Sequence, residues 1–411
     1  MVRELKHTEI GDIPVDWEIQ TFEETFKILS NNTLSRENLN NRGGAVRNIH
    51  YGDVLTQFSE VLKCNEVEIP YINDLSLLSS STQLLQDGDL IIADTAEDEM
   101  VGKATEVQGL GDGKLVAGLH TIPCRVKKGD FAPGWLGYYI NSHMYHDQII
   151  PFITGIKVSS ISKSAIAETL ILIPPIKEQI EIVNALDTIN REVRHIEQLR
   201  KKKTNIKYGI LQKLLSPKDE DTEYVFDSII KTASGGTPSR QIKRYYTGNI
   251  PWVTTRELTD GALQNTKECI TEEAISNSSA KIFPANTVLM AMYGATIGKL
   301  AIIQKPMATN QACCAMICSE KVEHRWLFYK LLYLRPYLIS LGCGAGQPNI
   351  SQTIIKELII SIPSKEKQWE IANVMDDISA EIKCLEEKLL KFEQIKKGMI
   401  SDLISGKIRL V

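Results

Sequence analysis

Between Ile371 and Leu403, apolar residues recur at alternating steps of four and three. The series is Ile371, Met375, Ile378, Ile382, Leu385, Leu389, Phe392, Lys396, Met399 and Leu403, and nine of the ten are apolar. That spacing predicts a helix whose stripe is buried on another helix. An earlier series runs Ile182, Leu186, Ile189, Val193, Ile196, Arg200, Lys203, Lys207, Ile210 and Leu214. The three cations in its middle leave two readings open: that stretch is less buried, or it faces an anion. Packing the two stripes on one another, as an antiparallel intramolecular pair, is the economical arrangement. A helix from about Lys177 to Leu215 would be on the order of 55–60 Å long. A rod of that kind could hold two globular lobes at a fixed distance.

The two series belong to a longer repeat. Shifting the sequence by 189 residues lays Ile171–Ile189 over Ile360–Ile378 without a gap. Ile173-Pro174 then falls on Ile362-Pro363, Gln179 on Gln368, Asn184 on Asn373 and Asp187 on Asp376. The register continues through Lys218 and Lys407. A proline turn opens each copy, which suits the start of a helix.

The stretches ahead of the two helices have another texture. Short β-branched runs ("DLIIADT", "HTIPCRV", "NTVLMAMYG", "KLAIIQK") alternate with Gly, Pro and Asn turns, which reads as sheet-rich structure. Helical patches, "APGWLGYYINSHMYHDQII" and "EHRWLFYKLLYLRPYLISL", follow in the same relative place. The lobes echo one another loosely: "GLHTIPCRV" stands where "TNQACCAMI" stands in the second. The expected fold is α+β, with an internal pseudo-two-fold repeat. Two sheet-rich lobes, 1–170 and 219–359, are separated by helical spacers, 171–218 and 360–411, packed as an antiparallel coiled coil.

At 411 residues the chain exceeds one ordinary core, so several domains are expected. A 43% hydrophobic and 24% charged composition is globular. The N-terminus lacks an apolar signal core and no apolar run is long enough to span a bilayer, so a cytoplasmic protein away from membranes is expected. The net charge of −4 would disfavour nucleic acid, but it is unevenly spread. Arg191 to Lys213 holds eight Lys or Arg against two Glu, and Lys231 to Arg256 holds five basic residues and no acid. "DTAEDE", Asp94 to Glu99, carries part of the balance.

Catalytic motifs are missing. "GATIGKL" encloses three residues between Gly294 and Gly298-Lys299, one short of a phosphate-binding loop, with Leu300 where a hydroxyl should sit. Lys103 and Lys299 each follow a glycine after matching strands, where they either face a backbone phosphate or close a hairpin. Cys313, Cys314 and Cys318 lack paired spacing and read as buried thiols. His143 and His146 have no third ligand in register. No metal site, cofactor loop or Asn/Asp-Pro-Pro-aromatic methyltransferase motif is evident.

"SGGTPSR…YYTGNIPWVTTREL", "AMYGATIGKLAI", "ATNQA", "GAGQPNIS" and "IPSKEKQWEIANVMDDI" together resemble the specificity subunit of type I restriction–modification systems. The first lobe follows through "IPVDWEI", "NIHYGDVL", "DGDLIIADT" and "LILIPPIKEQIEIV", although "GIKVSSIS" stands there in place of "GAGQPNIS". The resemblance covers essentially the whole chain. It implies a non-catalytic DNA-reading subunit whose two target recognition domains each read half of a split site in double-stranded DNA. The helices would set the gap and dock two methyltransferase subunits, and restriction/translocase subunits would join. No cofactor is expected on this chain; S-adenosylmethionine, ATP and Mg belong to the partners.

DNA affinity comes from Lys and Arg on phosphate, and specificity from polar groups on base edges. In the second lobe the candidates are Thr237, Ser239, Arg240, Lys243, Arg244, Tyr245, Thr254, Thr255, Arg256, Tyr293, Lys299, Gln347 and Asn349. In the first they are Arg36, Asn38, Arg42, Arg47, His50, Lys103 and Lys157. Ile182, Ile189, Ile196, Ile371, Ile378, Leu385 and Phe392 mark the spacer and subunit interface. A cytoplasmic adaptor whose coiled coil and lobes bind proteins is the alternative, and salt-dependent DNA binding would separate the two.

Overall fold

A computed structural model describes residues 4–155, 157–342 and 349–410. Two compact units divide the chain: unit 1 is Met1–Ile196 with Lys388–Val411, and unit 2 is Glu197–Glu387.

Unit 1 is built on a five-stranded sheet in the order Phe26–Ile28, Thr121–Val126, Leu90–Ala93, Ala104–Gln108, Val61–Lys63. Only the last pair is parallel. Unit 2 repeats this order and these directions with Ile230–Ser234, Cys313–Cys318, Val288–Ala291, Leu300–Ile303 and Gly261–Leu263. The central strands are apolar throughout because both faces are covered. Leu90 and Ile92 join one core while Ile91 and Ala93 join another, as the alternation of strand side chains requires. Val288 and Met290 diverge from Leu289 and Ala291 in the same way. Each unit adds a four-stranded sheet containing one parallel pair: Val46–Ile49 with Lys114–Ala117, and Ile250–Val253 with Met307–Thr309.

The long helices are Ile176–Leu215 and Lys365–Ile404, 40 residues each. Their heptad faces do pack on one another. In unit 1, Ile182 and Leu186 share a core with Leu403 and Ile404; in unit 2, Leu211 and Leu215 share one with Ile371, Ala372 and Met375. Ile182, Ile196 and Ile371 are buried, whereas Ile189, Ile378, Leu385 and Phe392 are half-buried. The polar middle of the first series meets an anion. Within unit 2, Arg200 lies 3.7 Å from Glu386 and Lys203 lies 2.5 Å from Glu381, an order that requires antiparallel helices. Lys207 sits over the Tyr329 ring at 5.9 Å, and burial pushes its ammonium below the usual lysine range.

Repeated residues in the first turns of the helices tie each lobe to its helix. The Gln179 carboxamide accepts the Ala132 N–H (2.9 Å) and donates to the Pro174 and Asp130 carbonyls. Gln368 likewise accepts from Glu323 N–H (2.8 Å) and donates to Pro363 and Lys321. Tyr138 donates to Asp187 and Tyr329 donates to Asp376, both at 2.7 Å. In unit 1 the C-terminal segment completes the joint, with Arg409 paired to both Asp16 and buried Glu178.

Two expectations shift. Leu170–Ile173 and Ile359–Ile362 are strands paired with Glu18–Thr21 and Thr222–Val225, so the lobe extends into the segments assigned to the spacers. The first helical patch is two helices, Trp135–Ile140 and His143–Ile149, while the second is one, His324–Leu341. The Asn141 amide between the former pair bonds both backbone groups of Ala104. No helix among the described residues is long and apolar enough to cross a membrane.

Candidate nucleic-acid interface

The parallel strand pair of each four-stranded sheet ends in the same corner. Asn310 N–H donates to Val253 carbonyl in unit 2 (2.9 Å), and Gly118 N–H donates to Ile49 carbonyl in unit 1 (2.8 Å). After the first strand of each pair the chain turns through a capping box, Thr254 with Glu257 and His50 with Asp53. The framework is duplicated.

In unit 2 the corner gathers much of what the sequence pointed to. Gly235 and Gly236 let the loop approach the sheet, since a Cβ at Gly235 would stand 2.0 Å from the Thr309 carbonyl oxygen. Thr237 then donates to the Gln311 side chain (2.5 Å). Arg240 lies over the rings of Tyr246 (4.2 Å) and Trp252 (5.0 Å). Thr255 and Arg256 occupy the turn after Thr254, with Arg256 exposed. Tyr293 is partly exposed and bridged through its backbone to exposed Asn349. Gln347 lies outside the described residues.

The acid-free basic loop is neutralised in space by later segments. Glu268 takes both arms of the Arg240 guanidinium (2.5 and 2.8 Å), and Glu273 pairs with Arg244 at 2.9 Å. Each arginine holds its carboxylate below the usual range. Lys243 and Arg256 are left exposed without an ion pair among the described residues, and Ser239 is also exposed. Tyr245 is 6% exposed and belongs to the core, which corrects its expected surface role. Thr254 is occupied with its cap, and its hydroxyl donates to Glu257 at 3.1 Å. Lys299 pairs with Asp260 (2.9 Å), so it closes its hairpin onto a carboxylate.

Unit 1 departs further from expectation. Arg36 grips buried Asp53 with two bonds, at 2.6 and 3.0 Å. Arg47 donates to the Cys64 carbonyl at 2.9 Å, and Asn38 donates to Ser35 at 3.0 Å. His50 is buried as a helix cap, and burial with nearby Arg36 pulls its pKa below the usual histidine value. Lys103 donates to the Leu55 carbonyl (2.8 Å), and burial lowers its pKa too. Arg36, Arg47, His50 and Lys103 are framework, because charge read from sequence carries no information about the partner inside the fold that takes it up, and Asn38 is half-buried against Ser35. Arg42 and Lys157 remain exposed, without an ion pair among the described residues.

The corner of unit 1 holds residues that the reading of charge passed over. His120 Nδ1 stands 3.2 Å from both the Asp94 carboxylate and the Thr95 hydroxyl, and its ring meets Tyr51 edge-on at 5.3 Å. The lobe-to-lobe echo of "GLHTIPCRV" with "TNQACCAMI" pointed to this stretch in both units, although the strand register shifts it by one residue from the letter-by-letter overlay. The seven cysteines of the described residues are free thiols, and burial pushes Cys314 up to about 12. His146 meets the Val101 carbonyl (3.2 Å), and among the described residues no His, Cys, Asp and Glu group could hold a metal.

Two copies of one fold carrying different polar corners match what sequence comparison finds. The profile of the type I restriction modification DNA specificity domain matches twice, over residues 14–207 and 222–394. The chain belongs to that specificity family. It is 22% identical to the protein named as the MjaX specificity subunit of Methanocaldococcus jannaschii, over 98% of this chain and 96% of the relative. To the MjaIX type I restriction enzyme specificity subunit of the same organism it is 35% identical, over 39% of this chain and 38% of that one. The EcoR124I/EcoR124II specificity subunit of Escherichia coli is 26% identical over 48% of this chain and 51% of its own.

Solved structures share the fold of this specificity-family chain. A chain from work on complex assembly and conformational transition of the type I restriction–modification system superposes with a TM-score of 0.60 at 16% identity, over 96% of this chain and 99% of that one. The type I restriction–modification S subunit from M. genitalium gives 0.58 at 14% identity, over 98% and 99%.

Proposed function

We propose that this chain is the non-catalytic DNA-reading subunit of a type I restriction–modification complex, each unit reading one half of a bipartite site in double-stranded DNA. The observation that carries the reading is the duplicated framework with unlike polar corners: Thr237, Gln311, Thr255 and Arg256 in unit 2 against Tyr51, Asp94, Thr95 and His120 in unit 1. Two copies of one reader with different reading groups suit a site whose halves differ. Lys243, Arg42 and Lys157 supply phosphate contacts, Arg256 bonds guanine, and Arg240 and Arg244 exchange their carboxylates for phosphate or guanine.

In this reading each helix, about 60 Å long at about 1.5 Å per residue, fixes the gap between half-sites. The helices also dock two methyltransferase subunits. In support, Ile180 and Trp369, which coincide in the repeat, are large apolar side chains left 44% and 53% exposed at the start of each helix. S-adenosylmethionine, ATP and Mg act on the methyltransferase and restriction/translocase subunits, and the complex works in the cytoplasm.

The test is duplex binding by the full chain, alone and with its methyltransferase subunits, across a salt series. Affinity is expected to fall steeply as salt rises, with a log–log slope set by the phosphates neutralised. Salt-insensitive binding, or methylation by the chain alone, would favour the protein-binding adaptor or an enzyme instead.

A further inference from the structure

We propose that His120, held by Asp94, Thr95 and Tyr51, is the group with which unit 1 reads a base edge. The inference rests on the reading above that unit 1 binds duplex DNA, and it assigns the specificity of that half-site to residues outside the basic loop.

The backbone gives the first reason. Among the described residues only three without a glycine's freedom have positive φ: His120 (54°), Asp260 (63°) and Asn286 (67°). A side chain disfavours that conformation. Asp260 is held there by Arg335, Lys299 and the Leu300 N–H. Asn286 is of a type that tolerates it and donates its N–H to the Ile303 carbonyl. His120 also tolerates it, and its carbonyl accepts the Asp94 N–H at 3.2 Å, in a turn that leaves the ring exposed and outside any core.

The ring is nonetheless fixed. Its Nδ1 faces Asp94, and Thr95 donates to the same carboxylate at 2.8 Å. In the neutral tautomer that donates Nδ1–H to Asp94, Nε2 keeps its lone pair, and it has no partner among the described residues. That lone pair suits the exocyclic amino group of adenine or cytosine in the major groove. The exposed acids next in the chain, Glu97, Asp98 and Glu99, disfavour phosphate at this corner and leave base edges as the chemistry that fits.

The repeat gives the third reason. Framework residues recur in both units, as Gln179 with Gln368, Tyr138 with Tyr329 and Asp187 with Asp376. Thr121 and Cys313 pair with Ala93 and Ala291 of the matching central strands, so the register makes Ala312 the counterpart of His120. The neighbouring Gln311 is the polar group there, held by Thr237. The scaffold is kept while the presented chemistry changes, as a specificity residue requires.

The experiment is selection of duplexes from a randomised pool by the full chain and by His120→Ala and His120→Gly, with thermal unfolding of each. Both variants should lose about tenfold of their preference at an A·T or C·G pair in one half-site and keep the other half-site intact. His120→Gly, which relieves the left-handed strain, should unfold no lower than the parent. Parent-like preference in both variants overturns the assignment alone. Loss in both half-sites marks a structural role and overturns it too. A parent chain that enriches no sequence sinks the DNA-binding reading along with it.

Discussion

At the scale of single residues, a cation's role follows from what already holds it. Arg36 and Arg47 are bound into the fold, so Arg36→Ala should strip buried Asp53 of its partner. The expected cost is roughly 3 kcal/mol, as for breaking a partly buried charge pair, read by chemical denaturation. Lys243→Ala should leave stability unchanged and weaken binding to every duplex alike, lowering the salt slope by about 0.9 if it covers one phosphate. The sequence displayed the basic residues but not the carboxylates Glu268, Glu273 and Asp53 that reach them from distant segments. That is why Arg36 of unit 1's basic loop reads as part of an interface and folds as framework.

At the scale of elements, the helices were the most legible part, because a seam repeated over ten positions depends only on spacing. The strand Leu170–Ile173 was harder to place, because a short continuous apolar run carries no period of its own. Ile378→Asp with Leu385→Asp should disrupt helix pairing in unit 2, lowering helical content by circular dichroism and spoiling assembly or half-site spacing. Replacing Gln368 with Leu would leave the Glu323 N–H and two carbonyls unpartnered, a cost of about 1–3 kcal/mol. The joint made by the C-terminal segment is acid-sensitive. Arg409 holds Asp16 below the usual carboxylate range. The stability this pair adds is therefore complete at neutral pH and is lost as pH falls below the ordinary carboxylate value and through the lowered one. Arg409→Leu should flatten that part of the unfolding midpoint's dependence on pH.

For the whole molecule, one framework is written twice and its polar corners diverge, which is the basis of the proposed reading of two unlike half-sites. Ile180→Glu with Trp369→Glu should abolish co-purification with methyltransferase subunits while leaving duplex binding by the chain intact. The most direct measurement is the pattern of bases that the full chain enriches from randomised duplexes. Two separate blocks, unlike in sequence and divided by an unselected gap of constant length, are the predicted result. One contiguous block, or two blocks at variable separation, would contradict the account.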